Sequence, residues 1–184
     1  MDILTLDFLP AERCTAIREE LGANAGEAAP VYGTTAGGAV DPLVRRVMRL
    51  APSAETRQAV MDALNAAREP LSRHFGVTLT SFEEPQFLRY GPGDHFVAHQ
   101  DGNTPLIFDD TRHRRVSAVI PLSRPTTAGQ PGDYSGGALV FHQPGEHIPA
   151  LVRPGQLLAF RSELTHEVTP LEAGERYTIV TWYR

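Results

Sequence analysis

The sequence predicts a β-sandwich or jelly-roll barrel backed by helices from its N-terminal third. Three observations carry that expectation. Apolar residues recur at helical spacing through the first third, short β-rich runs bounded by Gly, Pro or Asp follow from Thr78 onward, and two long polar loops interrupt those runs. A chain of 184 residues fits one domain. It is also long enough to hide ~70% of its unfolded surface without staples. Residues 1–184 therefore read as a single domain, with 1–77 as mainly helical support and 78–184 as the β core that carries the site.

Pro10 can occupy the first turn of a helix, where its missing N–H does no harm, and Gly22 stops that helix after Leu21. Residues 23–42 are rich in Gly, Ala and Pro and read as an irregular loop. Ser53 is the N-cap of a longer helix running towards Phe75, with Val60, Ala63, Leu64, Ala67 and Leu71 near helical spacing. Strands are predicted at Pro85–Tyr90, His95–Ala98, Arg115–Leu122, Ala138–His142, Gln156–Phe160 and Arg176–Tyr183. The loops Gly102–His113 and Ser123–Ser135 are longer than a compact domain tolerates unless they serve a site. Gly136-Gly137 marks a close backbone approach or tight turn, since no strand–glycine-loop–helix context for phosphate follows.

A net charge of −5 argues against a binder of phosphate backbones, so no nucleic-acid partner is expected. Arg45, Arg46 and Arg49 are read as a solvated face. The single cysteine, Cys14, excludes an intrachain disulfide and a thiolate metal cluster, fits a reducing compartment, and reads as a packing residue in a helix. The N-terminal residues 1–7 carry acid where a signal peptide carries base, and no apolar run approaches the ~20 residues of a membrane span. A soluble, cytoplasmic protein with no membrane partner is expected.

His99-Gln100-Asp101 is the strongest local signal. In extended chain, residues two apart project to one face, so an imidazole and a carboxylate converge there. His166 follows downstream, and Arg176 lies in the terminal strand. Two histidines and one carboxylate can occupy one face of an octahedral metal and leave three positions open. A 2-oxo acid can chelate two of these and dioxygen can take the third. A distal carboxylate would then need a fixed cation, and the planar fork of Arg176 suits one through two parallel hydrogen bonds. Thr178, two residues on, can add a hydroxyl. His74, His113, His142 and His147 read as surface or loop residues, His95 as a rim or packing residue, and Phe160 and Trp182 as core. The pairs Glu83-Glu84 and Asp109-Asp110 point to opposite faces in extended chain, which discounts them as paired catalytic acids.

Tyr90-x-x-Gly93-x-x-Phe96-x-x-His99-x-Asp101 resembles the strand that enters the metal site of prolyl 4-hydroxylase-like Fe(II)/2-oxoglutarate-dependent oxygenases. Gly136-Gly137-x-Leu139-x-Phe141, Pro154-Gly155-x-Leu157-Leu158-x-Phe160, His166-Glu167-Val168-x-Pro170, Gly174-x-Arg176-Tyr177 and Trp182 extend the resemblance over about residues 85–184, with a weaker echo at Phe8-Leu9-Pro10. The resemblance implies a double-stranded β-helix, a jelly-roll variant. It implies His99, Asp101 and His166 as iron(II) ligands, Arg176 as the clamp for the distal carboxylate, and Tyr90 as a wall of the co-substrate pocket. It also implies hydroxylation of an unactivated C–H bond with decarboxylation of 2-oxoglutarate to succinate, dioxygen as the other co-substrate, and ascorbate as a reductant. Related halogenases carry a small residue at the carboxylate position, so Asp101 favours hydroxylation.

The expected substrate is a prolyl or other amino-acid side chain in a protein or peptide. Two alternatives stay open: the same chemistry on a free amino acid or small metabolite, or a non-catalytic cupin-like metal-binding sensor with no use for Arg176. A small substrate would need polar anchors at the entrance, for which Arg112, Arg114 and Arg124 are candidates. The ligand set also accepts other divalent metals, and the sequence leaves oligomeric state open.

Overall fold

Ser53 starts the longer helix as expected. In the computed structural model, which describes residues 2–31, 39–104 and 109–184, α2 spans Ala54–Phe75. The Ser53 hydroxyl accepts from the Thr56 N–H, and Gly76 ends the helix in left-handed backbone at φ 63°. Val60, Leu64, Ala67, Leu71 and Phe75 form its buried stripe. The shorter α1, Ala11–Gly22, follows Pro10 at its N-cap and buries Cys14, Ile17 and Leu21. Cys14 thus packs in the core, and burial raises its thiol pKa.

The larger of two facing sheets contains β1 (Ile3–Asp7), β11 (Gln156–Arg161), β7 (Val116–Pro121), β14 (Arg176–Tyr183), β5 (Gln86–Tyr90), β4 (Met48–Leu50) and β2 (Glu27–Ala28), in that spatial order. The smaller orders β10 (Glu146–Pro149), β9 (Leu139–Gln143), β12 (His166–Val168), β6 (His95–His99) and β3 (Arg45–Arg46). A two-stranded ribbon, β8 (Tyr134–Gly136) with β13 (Leu171–Gly174), completes the antiparallel jelly roll. The six predicted strands are all present within about a residue at each end. Among the described residues, 1–77 hold both helices but also four short strands. Strands β2 to β4 are two or three residues long and have no alternation of their own, so they exist through their partners.

Period-two alternation separates two cores. Tyr177, Ile179 and Tyr183 of β14 face the helices with Ile17, Leu21, Leu64 and Phe75. Between the sheets pack Leu88, Tyr90, Val119, Phe141, Leu158, Phe160 and Val168. Arg176, Thr178, Val180 and Trp182, the opposite set on β14, line the inter-sheet cavity.

Two expectations need correction. Arg45 is not on a solvated face. It is 5% exposed, with its guanidinium 5.0 Å from the Phe96 ring centroid, and it donates to the Pro30 carbonyl and to Gln86 Oε1. Register is the cause. Arg45 pairs with Phe96 and Arg46 with His95, so alternation turns Arg45 inward while Arg46 stays outside and pairs with Asp94. Arg114 is likewise unavailable as a substrate anchor, being 5% exposed, bidentate to Glu83 at 2.8 and 2.6 Å, and 3.7 Å from the Trp182 ring centroid. The expected loop Ser123–Ser135 is tied down by bonds such as Arg124 N–H to Asp133 Oδ2, and neither the inter-sheet cavity nor the pocket beside it is lined by this loop. Within Gly102–His113, Asp110–His113 forms a 3₁₀ turn, and residues 105–108 lie outside the described residues, as do 32–38 of the predicted N-terminal loop.

Candidate metal centre

Strands β6 and β12 pair antiparallel with His99 opposite His166, so the sheet register itself brings the two rings to 4.3 Å between centroids. Asp101 follows two residues after His99, and its backbone N–H bonds to the Ser162 carbonyl at 2.9 Å. Asp101 Oδ1 lies 3.5 Å from His99 Nε2, and Oδ2 lies 3.4 Å from His166 Nε2. Among the described residues these three are the group of possible metal ligands whose donor atoms all fall within 4.8 Å of one another.

Both imidazoles are oriented the same way. His99 Nδ1 lies 2.8 Å from the Val97 carbonyl, and His166 Nδ1 lies 2.8 Å from the Leu164 carbonyl. A carbonyl only accepts, so each Nδ1 carries the proton and each Nε2 offers a lone pair to the centre. Phe96 stacks on His99 at 3.5 Å, and Phe160 meets His166 edge-on at 4.8 Å. Burial, together with the neighbouring His99, outweighs the attraction of Asp101 and pushes the His166 pKa down to about 4. Burial alone would raise the Asp101 carboxyl; His166, His99 and the Ser117 hydroxyl outweigh it and hold the carboxyl well below the usual range. At neutral pH the centre therefore presents a neutral His166 imidazole and an ionised Asp101 carboxylate, with His99 Nε2 turned to the same point, a donor set suited to a divalent metal.

The same cavity runs inwards to Arg176, 4% exposed and paired across the sheet with Tyr90. Its guanidinium lies 5.0 Å from the Tyr90 ring centroid, and Nη1 is buried with no hydrogen-bond partner among the described residues. An orphaned guanidinium N–H is costly unless an anion completes it. Thr178 borders the cavity, while its hydroxyl donates to the Ile120 carbonyl at 3.0 Å, so offering that proton to a ligand requires the hydroxyl to turn. About 460 Å³ free of protein atoms, open solvent at the mouth included, lies between walls that are mostly apolar. A two-histidine, one-carboxylate donor set facing a buried guanidinium with an unpartnered Nη1 fits iron(II) with a dicarboxylic 2-oxo acid.

His95, opposite Arg46 in the sheet, is not among the cavity walls, and its ring lies near the Gly93 and Leu43 carbonyls. His142 and His147 face each other across β9 and β10, with Glu167 beside His142, away from the cavity walls. Trp182 borders the cavity as well as packing in the core. Sequence reasoning passed over Ser117, whose hydroxyl donates to Asp101 Oδ2 at 2.7 Å. Its signal was a lone hydroxyl at a cavity-facing position of the otherwise apolar β7. It also passed over the wall formed on the outer side by Pro30, Val31, Val44 and Arg45.

Comparison with known proteins agrees with this geometry. Residues 85–184 match the profile described as the 2OG-Fe(II) oxygenase superfamily. A PKHD-type hydroxylase of Sphingopyxis alaskensis is 33% identical over 98 residues, 53% of this chain and 42% of that protein. A prolyl-4-hydroxylase crystal structure from Pseudomonas putida superposes with a TM-score of 0.73 at 24% identity, covering 100% of this chain and 92% of the other. A Trichoplax adhaerens prolyl hydroxylase in complex with a hypoxia inducible factor peptide fragment also gives 0.73, at 18% identity, over 99% and 83% of the two chains. With its jelly-roll fold and this donor set, the chain belongs to the 2OG-Fe(II) oxygenase superfamily, whose chemistry rests on iron(II), 2-oxoglutarate and dioxygen.

Proposed function

We propose that the chain is a hydroxylase of peptidyl side chains, with prolyl residues the foremost candidates, in which His99, Asp101 and His166 hold iron(II) and Arg176 anchors 2-oxoglutarate. One observation carries the reading. The three donor atoms and the orphaned Arg176 Nη1 share one cavity, so a ligand bridging metal and guanidinium satisfies both. The bound metal and co-substrate supply the oxidising power for inserting one oxygen atom into a C–H bond, with the co-substrate leaving as succinate and carbon dioxide. The chain's own residues do the rest. Arg176 neutralises the distal carboxylate, Tyr90 and the apolar walls exclude water from it, and the two carbonyl-held imidazoles keep their lone pairs on the centre.

A peptide substrate is supported by the Trichoplax neighbour, which has this fold and was solved with a peptide fragment. It is supported too by Arg114, whose engagement with Glu83 takes away one anchor that a small anionic metabolite would use. Succinate release measured over proline-containing peptides, free amino acids and cell extract tests the choice, and stimulation by free amino acids alone would overturn the peptide reading. Arg176→Ala is expected to weaken 2-oxoglutarate binding about 10- to 100-fold, the share of a charge-assisted pair of roughly 1.5–3 kcal/mol. Asp101→Ala serves as the inactive control, with circular dichroism checking its fold. An unchanged affinity in the Arg176 variant means that another residue holds the distal carboxylate.

A further inference from the structure

The Asp101 carboxylate is gripped from behind as well as facing the two imidazoles. Ser117 donates to Oδ2 at 2.7 Å, and Ser162 Oγ lies 3.0 Å from Ser117 Oγ. A hydroxyl has one proton. Ser117 gives its proton to Asp101, so Ser162 must be the donor to Ser117, and the chain runs Ser162 to Ser117 to Asp101. Both serines are buried, at 0% and 1% exposure. Ser162 also accepts, through its backbone carbonyl, from the Asp101 N–H at 2.9 Å and the Gly102 N–H at 3.2 Å. One residue thus holds the backbone of Asp101 directly and its side chain through Ser117. Apolar residues would fill these two sites without the desolvation cost of two hydroxyls.

We propose that Ser117, backed by Ser162, is a positioning residue that fixes the Asp101 carboxylate before metal arrives and commits it to bind through Oδ1, the oxygen on the His99 side. Oδ2 lies 3.4 Å from His166 Nε2 and could otherwise join Oδ1 on the same ion. The Ser117 bond engages Oδ2 and holds the plane of the group, while the donor behind it polarises the Ser117 hydroxyl and strengthens that bond. The inference rests on the metal-ligand reading given above.

The test titrates cobalt(II), which accepts the same donor set, into metal-free protein and follows its visible absorption. The unsubstituted chain is expected to take one ion. Ser117→Ala is expected to weaken binding about 10- to 100-fold, the usual effect of removing a residue that orients a ligand. The cobalt band should also shift as the second carboxylate oxygen joins the ion. Ser117→Thr, which keeps the hydroxyl, should restore both affinity and band. If Ser117→Ala loses its fold, Ser162→Ala carries the test, since it leaves the bond to Asp101 in place and removes only the donor behind it; a weakening of about threefold or more is expected. Cobalt bound by the unsubstituted chain with unchanged affinity and spectrum in the serine variants overturns the positioning role and leaves the ligand reading intact. Failure of the unsubstituted, folded chain to bind cobalt overturns the ligand reading, and the inference with it.

Discussion

Burial of His166, with His99 beside it, makes its imidazole harder to protonate than in an unfolded chain, against the attraction of Asp101. Its pKa falls from 6.5 to about 4. Between those values the unfolded chain takes up a proton that the folded chain refuses, so the stability of the metal-free protein drops as pH falls from 6.5 towards 4. The gap corresponds to about 3 kcal/mol at full extent. Asp101 acts in the same direction at lower pH. Its carboxyl is held below the usual range, so stability is lost once pH falls under the ordinary carboxylate value of 3.8. Urea midpoints of the metal-free protein should therefore decline between pH 7 and 4.5, and His166→Gln should remove most of that decline. Parallel slopes in the two proteins would refute the assignment. The gathering of His99, Asp101 and His166 and the inward place of Arg176 were legible in the sequence because each residue belongs to a spaced motif of unusual chemistry. Arg45 was not, since its inward direction follows from the pairing of β3 with β6 rather than from its neighbours in the chain.

At the level of elements, the join between β1, α1 and β11 turns on Gly155. Its carbonyl accepts from the Phe8 and Leu9 N–H groups at 2.9 and 2.8 Å, and its own N–H donates to Pro121 at 2.9 Å. Gly155 has φ 82°, and a Cβ there would lie 2.1 Å from the Leu9 carbonyl oxygen. Neither backbone can move without breaking those bonds. Gly155→Ala is therefore expected to cost at least about 2 kcal/mol, from left-handed backbone plus the clash. Gly145→Ala has a similar φ of 80° with nothing within 4 Å of the new methyl, and should cost only about 1 kcal/mol. Equal losses in chemical denaturation would show that the contact with Leu9 is unimportant. Both helices and β14 were legible because caps and long alternation are local signals. Strands such as β2, β3 and β12 were not, because two or three residues carry no period and only the partner strand defines them.

Across the whole molecule, Glu83 ties together parts of the chain that are distant in sequence. It accepts two bonds from Arg114 and two from Arg184, Arg114 Nη1 in turn lies 3.3 Å from the Asp101 carbonyl, and Arg184 Nη1 reaches Asp110 at 3.3 Å. The side chains of Arg114 and Glu83 are 6% and 19% exposed, so their attraction is only partly screened by water. Glu83→Gln leaves a buried guanidinium short of its countercharge and is expected to cost about 3 kcal/mol in denaturant unfolding. A loss under about 0.5 kcal/mol would demote this node to an ordinary surface pair. In the sequence Glu83 appeared only as half of an adjacent acidic pair, and nothing local revealed that residues 114 and 184 return to it.

Strand β14 lies between β7 and β5 although it follows every other strand in the chain. A nascent polypeptide emerging from the ribosome consequently carries two unzipped sheet borders until residues 176–183 slot between them. Because the same eight residues bring the Arg176 guanidinium, closing the scaffold and placing that cation in the cavity are a single event, and any product of translation stopped short of it has neither.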